Sequence, residues 1–300
     1  MNQKNPGPNW VWRIVYPILV YMGIYYLISI LASVIGMTVS FVNFEQAGGG
    51  SLDYYTILEL TTEWLSQYSY EVTTVSNLVT LPVILFFLRA DQKRGGEQYR
   101  LYDRVSPGYY VPVLVLGACA CLAVNGMMYI SGVMSAYSET LEEVSSQLYR
   151  GQLLVELLGI GILSPIVEEV LFRGLCMKRL QNGVGSTASI FLAAAFFALY
   201  HGNVLQMIYA FILGLIFGYV YERFHSLAAP ILAHCGANII SVLGSETNLI
   251  DGFFASDTAI FVGTAICCLV ILGCLYLIQY QVNPAPLHKE EESSSQDSGR

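Results

Sequence analysis

Eight apolar runs, each close to the length that crosses a bilayer, follow one another along this 300-residue chain. They lie at about 14–42, 72–89, 109–134, 151–180, 187–201, 204–222, 227–243 and 259–280. A spanning helix needs about 20 apolar residues, and only the fifth run is clearly shorter. In hydrocarbon a segment must satisfy its own backbone polar groups, which helices do internally. The expected fold is therefore all-α, a polytopic membrane bundle of about eight transmembrane helices. Composition agrees: 55% of residues are hydrophobic and 12% charged, against about 25% charged in soluble domains.

The connectors set the orientation. Of the 14 Lys and Arg, only Arg150 falls on one side. The N-terminus, the 89–108 loop, the 173–186 region, the Glu222–Arg223 turn and the tail share the other side. Lys and Arg mark the cytoplasmic side, so both termini are expected there. Trp10, Trp12 and Arg13 read as an interfacial anchor. The first run is longer than the roughly 7–15 apolar residues of a signal peptide, so it is kept as a span. Residues 43–71 carry five acids and read as a connector, as does the stretch with Glu139, Glu142 and Glu143. Four regions result: 1–150 with three spans, 151–245 with four, 246–281 with the last, and a disordered acidic tail at 282–300.

A net charge of −8 argues against nucleic acid, which calls for a basic face. The seven cysteines all lie in apolar segments without a CxxC pair, as small buried hydrophobes do. Gly214 and Gly218 form a GxxxG, which serves either a dimer or close packing inside the bundle. Glu156 reads as snorkelling to the interface beside Arg150.

Three polar motifs interrupt the oil. The first is Glu168–Glu169–Val170–Leu171–Phe172–Arg173, following a likewise apolar run with a kink expected at Ser164–Pro165. The second is Phe197 to His201, and the third His234 to Asn238. A carboxylate inside a membrane is costly and marks a functional site. At about 1.5 Å per residue, Glu168, His201 and His234 lie roughly 15, 20 and 10 Å from the ends of their helices, so all three fall near mid-membrane. Spacing of four pairs Glu169 with Arg173, Phe197 with His201 and His234 with Asn238 on shared faces. Glu169 then reads as the paired, structural carboxylate and Glu168 as the working one. A Glu beside a His can take a proton from water, and His234 with Asn238 can donate to an oxyanion. The constellation suits water attack on a peptide carbonyl.

At these residues the sequence resembles the CPBP family of intramembrane proteases. These are the type II CAAX prenyl proteases and the bacterial bacteriocin-processing or immunity (Abi) proteins. Their pattern EExxxR, FxxxH, HxxxN reads here as Glu168, Glu169, Arg173; Phe197, His201; and His234, Asn238. The resemblance covers about residues 150–245. It implies an eight-helix bundle whose cavity opens to the cytoplasm. Glu168 and His201 would activate water, His234 and Asn238 would hold the oxyanion, and Arg173 and Phe197 would orient the site. Glu168, His201 and His234 are enough ligands for a catalytic Zn²⁺. HExxH is absent, however, and a metal-free glutamate mechanism is the reading preferred. GxGD and GxSG motifs are absent too.

The function expected is an intramembrane endopeptidase in a multi-pass bacterial plasma-membrane protein, acting on a peptide or membrane-protein segment. The alternatives are a non-catalytic bacteriocin immunity protein and a proton-coupled transporter using Glu168.

Overall fold

The computed structural model describes residues 9–46, 48, 53–94, 107–137 and 153–282. The connector with Glu139, Glu142 and Glu143, the basic Arg100, Arg104 and Arg150, and the tail from 283 lie outside these residues. Every regular element among the described residues is a helix.

Helix α1, Trp10–Gln46, is 37 residues long. At about 55 Å it exceeds the hydrocarbon layer of about 30 Å, so its ends project beyond it. The acidic stretch after it is not the open connector expected. Asp53 accepts the Thr56 N–H at 2.8 Å and starts α2, Tyr54–Gln67. A side-chain oxygen satisfying a free helix-start donor is what nucleates such a helix. Helix α2 lies back against α1, with the Trp64 ring over Gly36, where a Cβ would sit 2.5 Å from a ring carbon. Helix α3, Ser69–Lys93, follows at once.

After α4, Tyr110–Ile130, the described chain resumes at α5, residues 153–184. This helix is twice interrupted by π segments, at Gly159–Leu163 and Val170–Met177, on either side of the regular turn Ser164–Glu169. Gly185 at φ +80 turns the chain into the short α6, Ser186–Tyr200. Helices α7 (Val204–Phe224), α8 (Ala228–Glu246) and α9 (Asp257–Gln281) complete the bundle. Six of the described helices are long and apolar enough to cross a membrane. The other two expected spans correspond to the interrupted α5 and to α6, which has 15 residues.

Two apolar clusters meet in the middle. One joins α1, α3, α5 and α6 through residues such as Tyr21, Ile84, Phe172 and Phe197. The other joins α4, α7, α8 and α9 through Leu116, Phe217, Ala233 and Cys274. Small residues draw the second together: a Cβ on Gly117 would fall 1.7 Å from the Ala233 carbonyl oxygen, and one on Gly236 would fall 2.4 Å from that of Leu114. Gly214 and Gly218 face Ala194 and Ile190 of α6. Their GxxxG therefore serves packing within the bundle. Large apolar side chains such as Leu31 on α1 and Leu269 on α9 stay exposed, as lipid-facing surfaces require.

At one end α1, α3 and α5 are clamped by ions. Asp91 takes Arg179 Nε at 2.7 Å and Arg13 Nη2 at 3.0 Å, and Arg179 also donates to Tyr16 and to the Arg13 carbonyl. Glu156 does not snorkel; it is fully buried at the opposite end of α5, where α5 packs against α3 and α8.

Candidate active site

The site is built on a defect in α5. Within the first π segment the Ser164 N–H donates five residues back, to the Gly159 carbonyl. Next in that register, Pro165 should serve the Ile160 carbonyl, but proline has no N–H. The Asn238 amide fills the gap, donating to the Ile160 carbonyl at 2.9 Å. Asn238 was expected to donate, with His234, to a developing oxyanion. One of its two N–H groups instead repairs a helix, so it holds α8 to α5 at the depth of the site.

The short regular turn after Pro165 carries both carboxylates. Glu169 is fully buried. Its Oε1 takes Arg173 Nη1 at 2.7 Å and His234 Nδ1 at 2.8 Å. Arg173 Nη2 donates to the Gly214 carbonyl of α7 at 2.8 Å, and its guanidinium lies 5.0 Å from the Phe197 ring centroid and 5.5 Å from that of Phe217. Its charge is therefore neutralised by Glu169, and its planar fork lies against two aromatic rings, a setting guanidinium groups favour. Glu168, turned about 100° around the helix, lines a cavity of about 440 Å³ instead. Its Oε2 lies 3.6 Å from His234 Nε2, too long for a direct hydrogen bond.

Both histidines have one nitrogen fixed. A backbone carbonyl only accepts, so His201 Nδ1, 2.8 Å from the Phe197 carbonyl, carries the proton. In the neutral ring Nε2 is then the unprotonated nitrogen. His234 Nδ1 likewise donates to the Glu169 carboxylate, which leaves Nε2 toward Glu168. The Phe197 ring stands edge-on between the two imidazoles, at 4.8 Å from His201 and 5.6 Å from His234. Phe217 stacks on His234 at 4.7 Å. Gly202 at φ +77 turns the chain right after His201, so α6 ends at the cavity.

Glu168, His201, His234, Asn238 and Phe197 all line the same cavity, whereas Glu169 and Arg173 sit behind its wall. As for a metal, Glu168, His201 and His234 do not come together as a ligand set. Among the described residues no group of three His, Cys, Asp or Glu is placed to hold a metal ion.

Residues that sequence reasoning passed over also reach the cavity. Met22, Tyr25 and Tyr26 of α1 form one wall, and Ser164, read only as half of a kink, lines another. An isolated asparagine in the second apolar run, Asn77, was the available signal for what stands behind Ser164.

The lining residues also mark the mouth of the cavity. Its exposed lining residues are Tyr26 and Gly202, and Thr73 and Gln206 of the first two turns of α3 and α7 also contribute. These turns lie roughly 25 Å along their helices from Asp91 and Arg223. The cavity thus reaches the ends of α3 and α7 that lie away from the basic helix ends.

Residues 150–240 match the family model of the type II CAAX prenyl endopeptidase Rce1-like proteins. Neither the curated proteins nor the solved structures return a match for the chain.

Proposed function

We propose that this chain, whose residues 150–240 match the type II CAAX prenyl endopeptidase family model, is an intramembrane protease that hydrolyses a peptide bond with a water activated by Glu168. One observation carries the reading. Of two adjacent buried carboxylates, one is neutralised by Arg173 while the other lines a cavity together with two imidazoles.

In this mechanism Glu168 takes a proton from water as the oxygen attacks the carbonyl, and later returns it to the departing amine. His201 Nε2 accepts a hydrogen bond from the same water. The free N–H of Asn238 faces the developing oxyanion. His234 joins it when protonated at Nε2, a form that the Glu169 carboxylate stabilises. Preorganised donors of this kind are usually the largest single contribution to catalysis. Every step uses the chain's own side chains.

We also infer the side of entry. The mouth lies opposite the basic ends, and Lys and Arg collect on the cytoplasmic face. The peptide therefore enters from the extracytoplasmic side, reversing the direction the resemblance implied.

Comparing peptides shed by membranes carrying wild-type protein with those carrying Glu168→Ala tests the function. Fragments seen only with the wild type are expected. Identical peptide sets from the two would overturn the reading.

A further inference from the structure

Behind the cavity wall runs a buried relay that the chemistry above does not use. The Tyr21 hydroxyl donates to Asn77 Oδ1 at 3.1 Å, and Asn77 Nδ2 donates to Ser164 Oγ at 2.6 Å. The three come from α1, α3 and α5, and their exposures are 1%, 1% and 4%. Tyr21 is braced from the other side by the ring of Tyr200, stacked at 4.9 Å. Tyr21 and Asn77 lie outside the segment that matches the family.

The direction of the relay has a consequence at its end. A hydroxyl has one proton and accepts through its lone pairs. Asn77 occupies Ser164 Oγ as a donor, so the serine's own proton must point elsewhere. The usual acceptor for a helical serine is the carbonyl four residues back, here Ile160, but Ser164 makes no bond to it and Asn238 does. Among the described residues nothing accepts the Ser164 proton, and Ser164 lines the cavity one helical turn before Glu168. A buried donor without an acceptor is uncommon.

We propose that Ser164 is a substrate-contacting hydrogen-bond donor, clamping a main-chain carbonyl of the bound peptide. Asn77 and Tyr21 are positioning residues that fix where its proton points. The proposal rests on the peptidase reading. The acceptor that the geometry calls for is a peptide carbonyl, because such a group would be present only when substrate fills the cavity.

The test uses the full-length protein in detergent and an internally quenched decapeptide library as the probe. Such a clamp binds substrate and transition state alike, so its loss raises KM and leaves kcat nearly unchanged. Ser164→Ala should raise KM roughly three- to tenfold, the worth of one hydrogen bond, and Ser164→Thr should restore it. Ser164→Cys, with similar volume and only a weak donor, should behave as Ser164→Ala and serves if the alanine variant does not fold. Tyr21→Phe should give a smaller rise that disappears in the Ser164→Ala background. A wild-type KM in Ser164→Ala, a loss confined to kcat, or effects of Tyr21→Phe and Ser164→Ala that multiply would overturn the proposal. Wild-type protein cutting the library no faster than Glu168→Ala would instead overturn the peptidase reading, and this inference with it.

Discussion

Glu168 and Glu169 are neighbours in the chain with different surroundings, so their variants should fail in different ways. Removing Glu169 leaves the Arg173 guanidinium buried and unpaired, and breaking such a pair costs about 3–5 kcal/mol. Glu169→Ala should therefore melt far below the wild type in detergent. Glu168→Gln keeps the shape and deletes the base, so it should melt within a degree or two of the wild type and cleave nothing. Asn238 lies between these cases. Asn238→Ala strips the Ile160 carbonyl of its donor, costing about 1–3 kcal/mol for an unsatisfied buried group, and it should lower both melting temperature and turnover. The identities of these residues were legible because they are polar in apolar surroundings. The second duty of Asn238 was not, since it depends on a π register that only the folded helix reveals.

At the scale of elements, the interrupted α5 and the close α4–α8 contact place the chemistry. Helix α8 carries His234 one residue beyond Ala233, whose carbonyl touches Gly117. Gly117→Val should push α8 away, destabilise the protein by about 1–3 kcal/mol as overpacking does, and lower cleavage with it. Gly273→Ala, with nothing within 4 Å of the added carbon and a better helix former in place of glycine, should lower neither. Thermal melts and cleavage rates of the two variants make the comparison. Apolar runs were enough to expect the long helices. They were not enough for α2, because acids such as Glu59 and Glu63 make a helix lying on the bundle resemble an open connector. Pro165 announced a kink in α5, but not that regular and π turns would alternate on both sides of the carboxylates.

Over the whole molecule, two apolar clusters meet at the candidate cavity, and α1 supplies one wall of it from outside the family-matched segment. The basic ends and the cavity mouth lie at opposite ends of the bundle. Each was legible separately in the pattern of charges and motifs, but their relation needed the helices placed side by side. Helix α7 begins at the mouth with the exposed Val204, and α3 ends at the basic face with the exposed Lys93. In intact cells a membrane-impermeant maleimide should label Val204→Cys above the wild-type background, and Lys93→Cys only after permeabilisation. The reverse pattern would put the mouth in the cytoplasm. The most direct measurement is cleavage by the purified protein in lipid nanodiscs, read by mass spectrometry of the products. The account predicts a defined cut by the wild type and none by Glu168→Gln or His201→Ala that remain folded. Equal cleavage by all three would contradict it.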